Sequence, residues 1–165
     1  MRSTYKAGDN LTVKIERIVP RGYGIGFAEG LTVFVALAAE GDVVRVRLTE
    51  VRGGTAFAEI EAVETPGPDR IEPPCPYFGV CGGCDFQQMN YDAQLRAKSA
   101  IIRDSLRRIA KYDHPDEIVV RSSPAEVGYR LRAQWHAVPE RHELGYYRRN
   151  SRDLVDIERC LVISD

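Results

Sequence analysis

The chain is poor in the residues from which metal, redox and catalytic sites are usually assembled. Its 165 residues include four cysteines, three histidines and one tryptophan. No apolar run approaches the roughly 20 residues needed to cross a bilayer. The opening Met1-Arg2-Ser3-Thr4-Tyr5-Lys6 is not followed by the apolar core of a secretory signal. These two absences point to the cytoplasm and away from a membrane partner. In that reducing compartment thiols serve metals or redox chemistry rather than stable disulfides. The glycines of the Gly22–Gly26 stretch are not followed by a helix pattern or by Gly-Lys-Ser/Thr, so they read as a tight hairpin and not as a phosphate loop. His114, His136 and His142 lie in no Cys/His signature, and a nucleophilic thiol needs such a base. There is no internal repeat or low-complexity tract, and nothing calls for an obligate protein partner.

Net charge is also nearly absent, at -1, but its distribution is uneven. Residues 1–74 hold 9 basic and 11 acidic side chains, whereas residues 96–149 hold 12 and 7. A basic segment inside a neutral chain is either a solvated face or the footprint that a phosphate backbone requires.

Residues 11–63 read as all-β. Leu11–Ile18 alternates apolar and polar residues at period two, and 31–35, 43–48 and 56–60 are similar short runs separated by glycines and Pro20. Five short strands in about 60 residues suit an OB-like barrel. Residues 65–74 carry four prolines and a glycine, which predicts a stiff linker and a domain boundary. A helix is predicted over 91–111, capped by Asn90. Leu95, Ile102, Leu106 and Ile109 form one apolar stripe, while Arg96, Arg103, Arg107 and Lys111 form a basic one. Residues 129–138, 144–149 and 154–157 return to strand character.

The four cysteines make one pattern, C-x5-C-x2-C-x75-C: Cys75, Cys81 and Cys84, then Cys160. Three clustered thiols plus a remote one can wrap a [4Fe–4S] cube, and Gly82-Gly83 between two of them lets backbone amides approach sulfur. Structural zinc more often uses two short Cys-x-x-Cys knuckles, of which only Cys81 and Cys84 supply one. Cys160 could also be an unrelated core thiol. Spacing alone leaves all three open.

Cys75-Pro76-x4-Cys81-Gly82-Gly83-Cys84-x-Phe86-Gln87, followed by a basic helix, resembles the iron–sulfur class of bacterial RNA (uracil-5)-methyltransferases. Upstream, Arg21–Gly26, Thr32–Val35, Gly41–Val44 and Ala58–Ile60 resemble a TRAM domain, the OB-like RNA-binding module of the 23S ribosomal RNA members. Downstream, 128–130, 144–148 and 155–160 resemble the family's central β region. Radical methylthiotransferases also combine TRAM with iron–sulfur chemistry, but their Cys-x3-Cys-x2-Cys motif and C-terminal TRAM differ from this arrangement. The resemblance implies a [4Fe–4S] cofactor on Cys75, Cys81, Cys84 and Cys160, with 23S rRNA as partner.

The expected fold is β-rich α+β. A TRAM barrel occupies 1–64, the linker 65–74, and a cluster segment with its helix 75–112. Residues 113–165 form part of a central β domain. Expected phosphate contacts are Arg96, Arg103, Arg107, Arg130, Arg132, Arg148 and Arg149. Tyr23, Phe34, Trp135 and Tyr147 are candidates for stacking on bases. Family members are more than twice this long and end in a Rossmann-like domain that binds S-adenosylmethionine and carries the nucleophile. No Gly-x-Gly-x-x-Gly stands between a strand and a helix here. No catalytic residue is therefore assigned, the methyl donor is expected only in the complete enzyme, and the chain alone is expected to be inactive. The alternative is a stand-alone RNA-binding module with a zinc or iron–sulfur site and no catalysis.

Overall fold

The computed structural model describes residues 4–164 and is β-rich, with one α-helix among the described residues. The residues form two compact units. One comprises the chain up to Ile71 together with Gln88–Val120; the other comprises Glu72–Gln87 and the chain from Arg121 onward. No helix among the described residues is long and apolar enough to cross a membrane.

The first unit contains β1 (Asn10–Lys14), β2 (Arg17–Val19), β3 (Tyr23–Ala28), β4 (Leu31–Val35), β5 (Val43–Arg52), β6 (Thr55–Thr65) and α1 (Tyr91–Arg108). The strands make one mixed sheet in the order β1-β5-β6-β4-β3-β2, with β4 and β6 parallel. Where a five-stranded OB-like barrel is expected, the structure has a six-stranded sheet whose ladder does not close. The run 11–18 is two arms rather than one strand. Leu11 pairs with Val46 on β5, whereas Ile18 pairs with Gly24 on β3. At the bend the backbone groups are satisfied outside the ladder: Ile15 N–H donates to the Asp42 carbonyl, and Glu16 N–H to that of Ile25. The expected hairpin at Gly22–Gly26 moves to Pro20–Gly22, and Gly24 and Gly26 lie inside β3. Gly26 is needed there because any Cβ would strike the Lys14 carbonyl oxygen.

Alternation along the strands supplies the core. Val13, Val33, Val35, Val44, Val46 and Leu48 are each at most 2% exposed, and burying one such side chain contributes about 1.5–3 kcal/mol. One charge is sealed in with them. Asp42 is fully buried and accepts from the backbone N–H of Ala39 (2.6 Å) and Gly67 (2.8 Å). Arg70 closes a fork on the same carboxylate through Nε and Nη2, with Nη2 at 2.8 Å. The proline-rich stretch is therefore no free linker as far as Ile71. Asp42 straps it down, and Asp69 accepts from the Asn90 side-chain amide at 2.8 Å.

The Asn90 cap forms as expected, with Oδ1 accepting from Ala93 N–H at 2.9 Å. The helix ends at Arg108 instead of 111, and Lys111 is left-handed (φ 53°). Its apolar stripe is not the buried face: Ala93 and Ala97 are buried, while Ile102 is 45% and Ile109 82% exposed. Small side chains seat this helix on the unit beside β2.

The second unit contains β7 (His136–Val138), β8 (Glu143–Tyr147) and β9 (Leu154–Asp156), an antiparallel sheet in that order. The strand expected over 129–138 keeps only its last three residues; Arg130 makes a single bridge to Ile163. The cysteines thus fall in this unit, whereas the helix expected to group with them falls in the first.

Candidate metal centre and nucleic-acid surfaces

The Cys75–Cys84 loop is shaped by its own turns and by pairing with β8. Phe78 N–H donates to the Cys75 carbonyl, and the N–H groups of Val80 and Cys81 both donate to that of Tyr77. Cys81 then bridges Arg148, with Gly82 N–H donating to the Tyr147 carbonyl (2.9 Å) and Arg149 N–H to that of Val80 (3.0 Å). On the far side, the Tyr77 hydroxyl accepts from Glu158 N–H at 3.2 Å, two residues before Cys160. These contacts bring the remote cysteine to the trio. All four thiols line one cavity, together with Tyr146, Gln87, Ile157 and Val162.

The four cysteines are free. Burial pushes the Cys81 thiol above its ordinary pKa; a hydrogen bond from Gly83 N–H (3.3 Å) and the Arg149 charge oppose this, while Cys75 and Cys160 add to it. Burial likewise raises Cys84, opposed by the Gln87 side-chain amide and reinforced by the other three thiols. Ionising neighbouring thiols together would gather like charge here, which a bound cation would offset. Among the described residues, however, no three His, Cys, Asp or Glu side chains converge closely enough to share one metal ion. The thiols face a common space without forming the shell of a single ion. Gln87 Oε1 and the Tyr146 hydroxyl, both from residues of the cavity wall, are buried without a partner among the described residues. Four soft donors, two amide donors to sulfur and unpaired polar groups make a donor set that fits an iron–sulfur cluster.

The seven expected phosphate contacts do not share one environment. On α1, Arg96 pairs with Asp69 and Arg107 with Asp104 (3.2 Å), and both keep more than 60% of their side chains exposed. Arg103 is half-buried and donates to the carbonyls of His114 and Asp116. In the second unit Arg130, Arg132 and Arg148 are exposed. Arg149 is not: its side chain is 17% exposed, bonded to Asp85 (2.7 Å) and to the Cys84 carbonyl (2.7 Å).

The aromatic candidates divide likewise. Phe34 on β4 stacks on Phe57 of β6 with centroids 5.3 Å apart, and Tyr23 meets Phe57 edge-on at 6.0 Å. Phe57 is 38% exposed, so this row on three strands presents ring surface to solvent. Phe57 was absent from the expected set, although its place in the alternating run 56–60 put it opposite the buried Ala56 and Ala58. Trp135 packs edge-on against Tyr146, and Tyr147 stacks on His136 at 3.9 Å.

Residues 6–60 match the TRAM domain family model. The chain is 38% identical over 161 residues to a 23S rRNA (uracil(1939)-C(5))-methyltransferase RlmD of Pseudomonas savastanoi, covering 95% of this chain and 36% of that protein. It is 36% identical over 160 residues to an uncharacterized RNA methyltransferase of Nitratidesulfovibrio vulgaris, with 95% and 34% covered. Among solved structures it resembles the Pyrococcus abyssi tRNA (uracil-54, C5)-methyltransferase in complex with S-adenosyl-L-homocysteine. There the TM-score is 0.60 at 26% identity, covering 93% of this chain and 33% of that one. The chain therefore spans about a third of the length of the curated relatives it matches.

Proposed function

We propose that these residues are the RNA-recognition and [4Fe–4S]-binding portion of an S-adenosylmethionine-dependent (uracil-5)-methyltransferase of 23S rRNA, working in the cytoplasm. The observation that carries this is the meeting of Cys75, Cys81, Cys84 and Cys160 in one cavity across 75 intervening residues. Their arrangement in the sequence, with one short Cys-x-x-Cys knuckle and a remote fourth thiol, supports a cluster over zinc. When bound, the cluster would cross-link the loop to the segment after β9; Gly83 and Gln87 would donate to its thiolates.

RNA recognition is assigned to the Tyr23–Phe57–Phe34 row, whose π-faces suit unstacked bases. The exposed arginines Arg96, Arg107, Arg130, Arg132 and Arg148 are assigned to phosphates. Methyl transfer itself is assigned to no residue here.

Anaerobic purification followed by iron, sulfide and zinc analysis should return about four irons and four sulfides per chain. One zinc without iron would overturn the cluster and favour the zinc-bearing binding module. A 23S rRNA fragment should bind, and weaken steeply with salt; a flat salt response would remove the arginine assignment.

A further inference from the structure

We infer that Arg149 is a positioning residue of the four-thiol site, holding the Cys81–Cys84 loop and supplying the fixed positive charge that the site's bound group meets. This rests on the cluster reading above. Four observations converge on it. The guanidinium is largely buried, donating through Nη1 to Asp85 and through Nη2 to the carbonyl of Cys84. Its backbone N–H holds Val80, one residue before Cys81. Its Nε–H is buried and has no partner among the described residues, so part of this ion's hydrogen-bonding capacity is left for a bound group. Its charge is felt at the Cys81 sulfur.

A surface phosphate contact would look different. Arg107, also an expected contact, is 67% exposed and paired only with the Asp104 beside it. Arg130 lines the same cavity as the thiols, but it is exposed, and water screens its charge. Arg149 is a cation held in a fixed place, and it is paired with a single carboxylate, Asp85.

The consequence is electrostatic. Four thiolates make the loaded site strongly negative, and one-electron reduction makes it more so. A fixed cation favours the more negative state, whereas Asp85 opposes it. Arg149→Met should therefore lower the midpoint potential of the cluster, and Asp85→Asn should raise it. Losing the fork should also speed the release of iron to a chelator, by ~10–100-fold if Arg149 acts as outer-shell partners of metal ligands do. Arg149→Lys keeps the charge without the fork. It should hold the potential near that of the unaltered chain but release iron faster. Arg152→Ala, three residues away and exposed, should change neither.

The test is redox titration of the anaerobically purified chain, followed by absorbance and electron paramagnetic resonance, with chelator kinetics on the same samples. Opposite shifts in the two variants support the inference. If Arg149→Met takes up no cluster, Asp85→Asn still decides: a potential unmoved or lowered overturns the proposal. Unaltered chain with cluster, and variants with unaltered potential and release rate, defeat the inference alone. Unaltered chain without iron and sulfide defeats the cluster reading and the inference with it.

Discussion

The first unit is much the larger, with roughly 100 residues against roughly 60, and the two are held together by different means. The first has a closed apolar interior, in which Val33, Val35, Val44, Val46 and Leu48 are completely buried. In the second, the buried apolar side chains among the described residues are Cys81, Ile157 and Val162, each still 5–8% exposed. A unit of about 60 residues with so little apolar burial is marginal by itself and usually needs a metal or another cross-link. The strand alternation that specifies the first unit is replaced in the second by loop pairing around four sulfurs.

Removing a thiol should separate the units most sharply. Cys81→Ser takes away a proposed ligand and the acceptor of the Gly83 amide. Structural metal sites contribute on the order of 10 kcal/mol to small domains. Hydrogen exchange should then lose protection across 121–164 and keep it across β1–β6. Unchanged protection in the second unit would mean that its few apolar contacts suffice without the thiol site.

The first unit should be most sensitive where it buries charge. Asp42→Ala leaves Arg70 and two backbone N–H groups without their acceptor. Leaving one member of a buried pair uncompensated costs about 3–5 kcal/mol. Urea unfolding of the first unit should register that loss, and proteolysis within 66–71 should rise as the strap opens. Leaving the second unit's exchange pattern intact is part of the expectation.

RNA binding offers a smaller contrast. Phe57→Ala should weaken the affinity for unpaired RNA by about 1–3 kcal/mol, the range of one lost base stack. Arg107→Ala should lower the salt slope by roughly one contact. An affinity untouched by Phe57→Ala would take the aromatic row out of the interface.

These contrasts follow what the sequence makes legible. Period-two alternation and glycine punctuation announced the strands of the first unit, because a half-buried strand writes its face into its pattern. Alternation says nothing of a bend inside a run, so the split at Ile15–Glu16 was invisible: it depends on Asp42 and Ile25 carbonyls distant in sequence. Prolines at 65–74 announced stiffness but not attachment, since Arg70 reads as surface charge until a buried Asp42 is found for it. The helix pattern was real but its packing face was not deducible, because Ala93 and Ala97 carry too little side chain to mark a stripe. The thiol set was legible from spacing and family resemblance together. Arg149 was not, because a lone arginine looks the same whether it faces phosphate or supports a loop.

Acidification should separate the units once more, by the smallest effect. In the first unit the Asn90 amide and then Arg96 hold the Asp69 carboxyl below its ordinary pKa. Burial pushes Asp104 up, but Arg108, Arg107 and Arg17 outweigh it and hold it low as well. A carboxyl depressed on folding contributes stability that is complete above its unfolded value of about 3.9, and loses it as pH falls through the lower folded value. Asp104→Asn should therefore lower the urea midpoint slightly at pH 7, and the difference should vanish towards about pH 2. Added salt should shrink it as well, since the arginines are largely exposed. The second unit responds at higher pH and for the opposite chemical reason. Burial raises Cys81 and Cys84, and as the proposed ligands they would have to lose protons to bind a metal group, which they would hold less firmly as acidity grows. Exchange protection across 121–164 should then fall at a pH where that of the first unit is still intact. Simultaneous loss in both units would mean that one shared transition, and not two distinct supports, governs the chain.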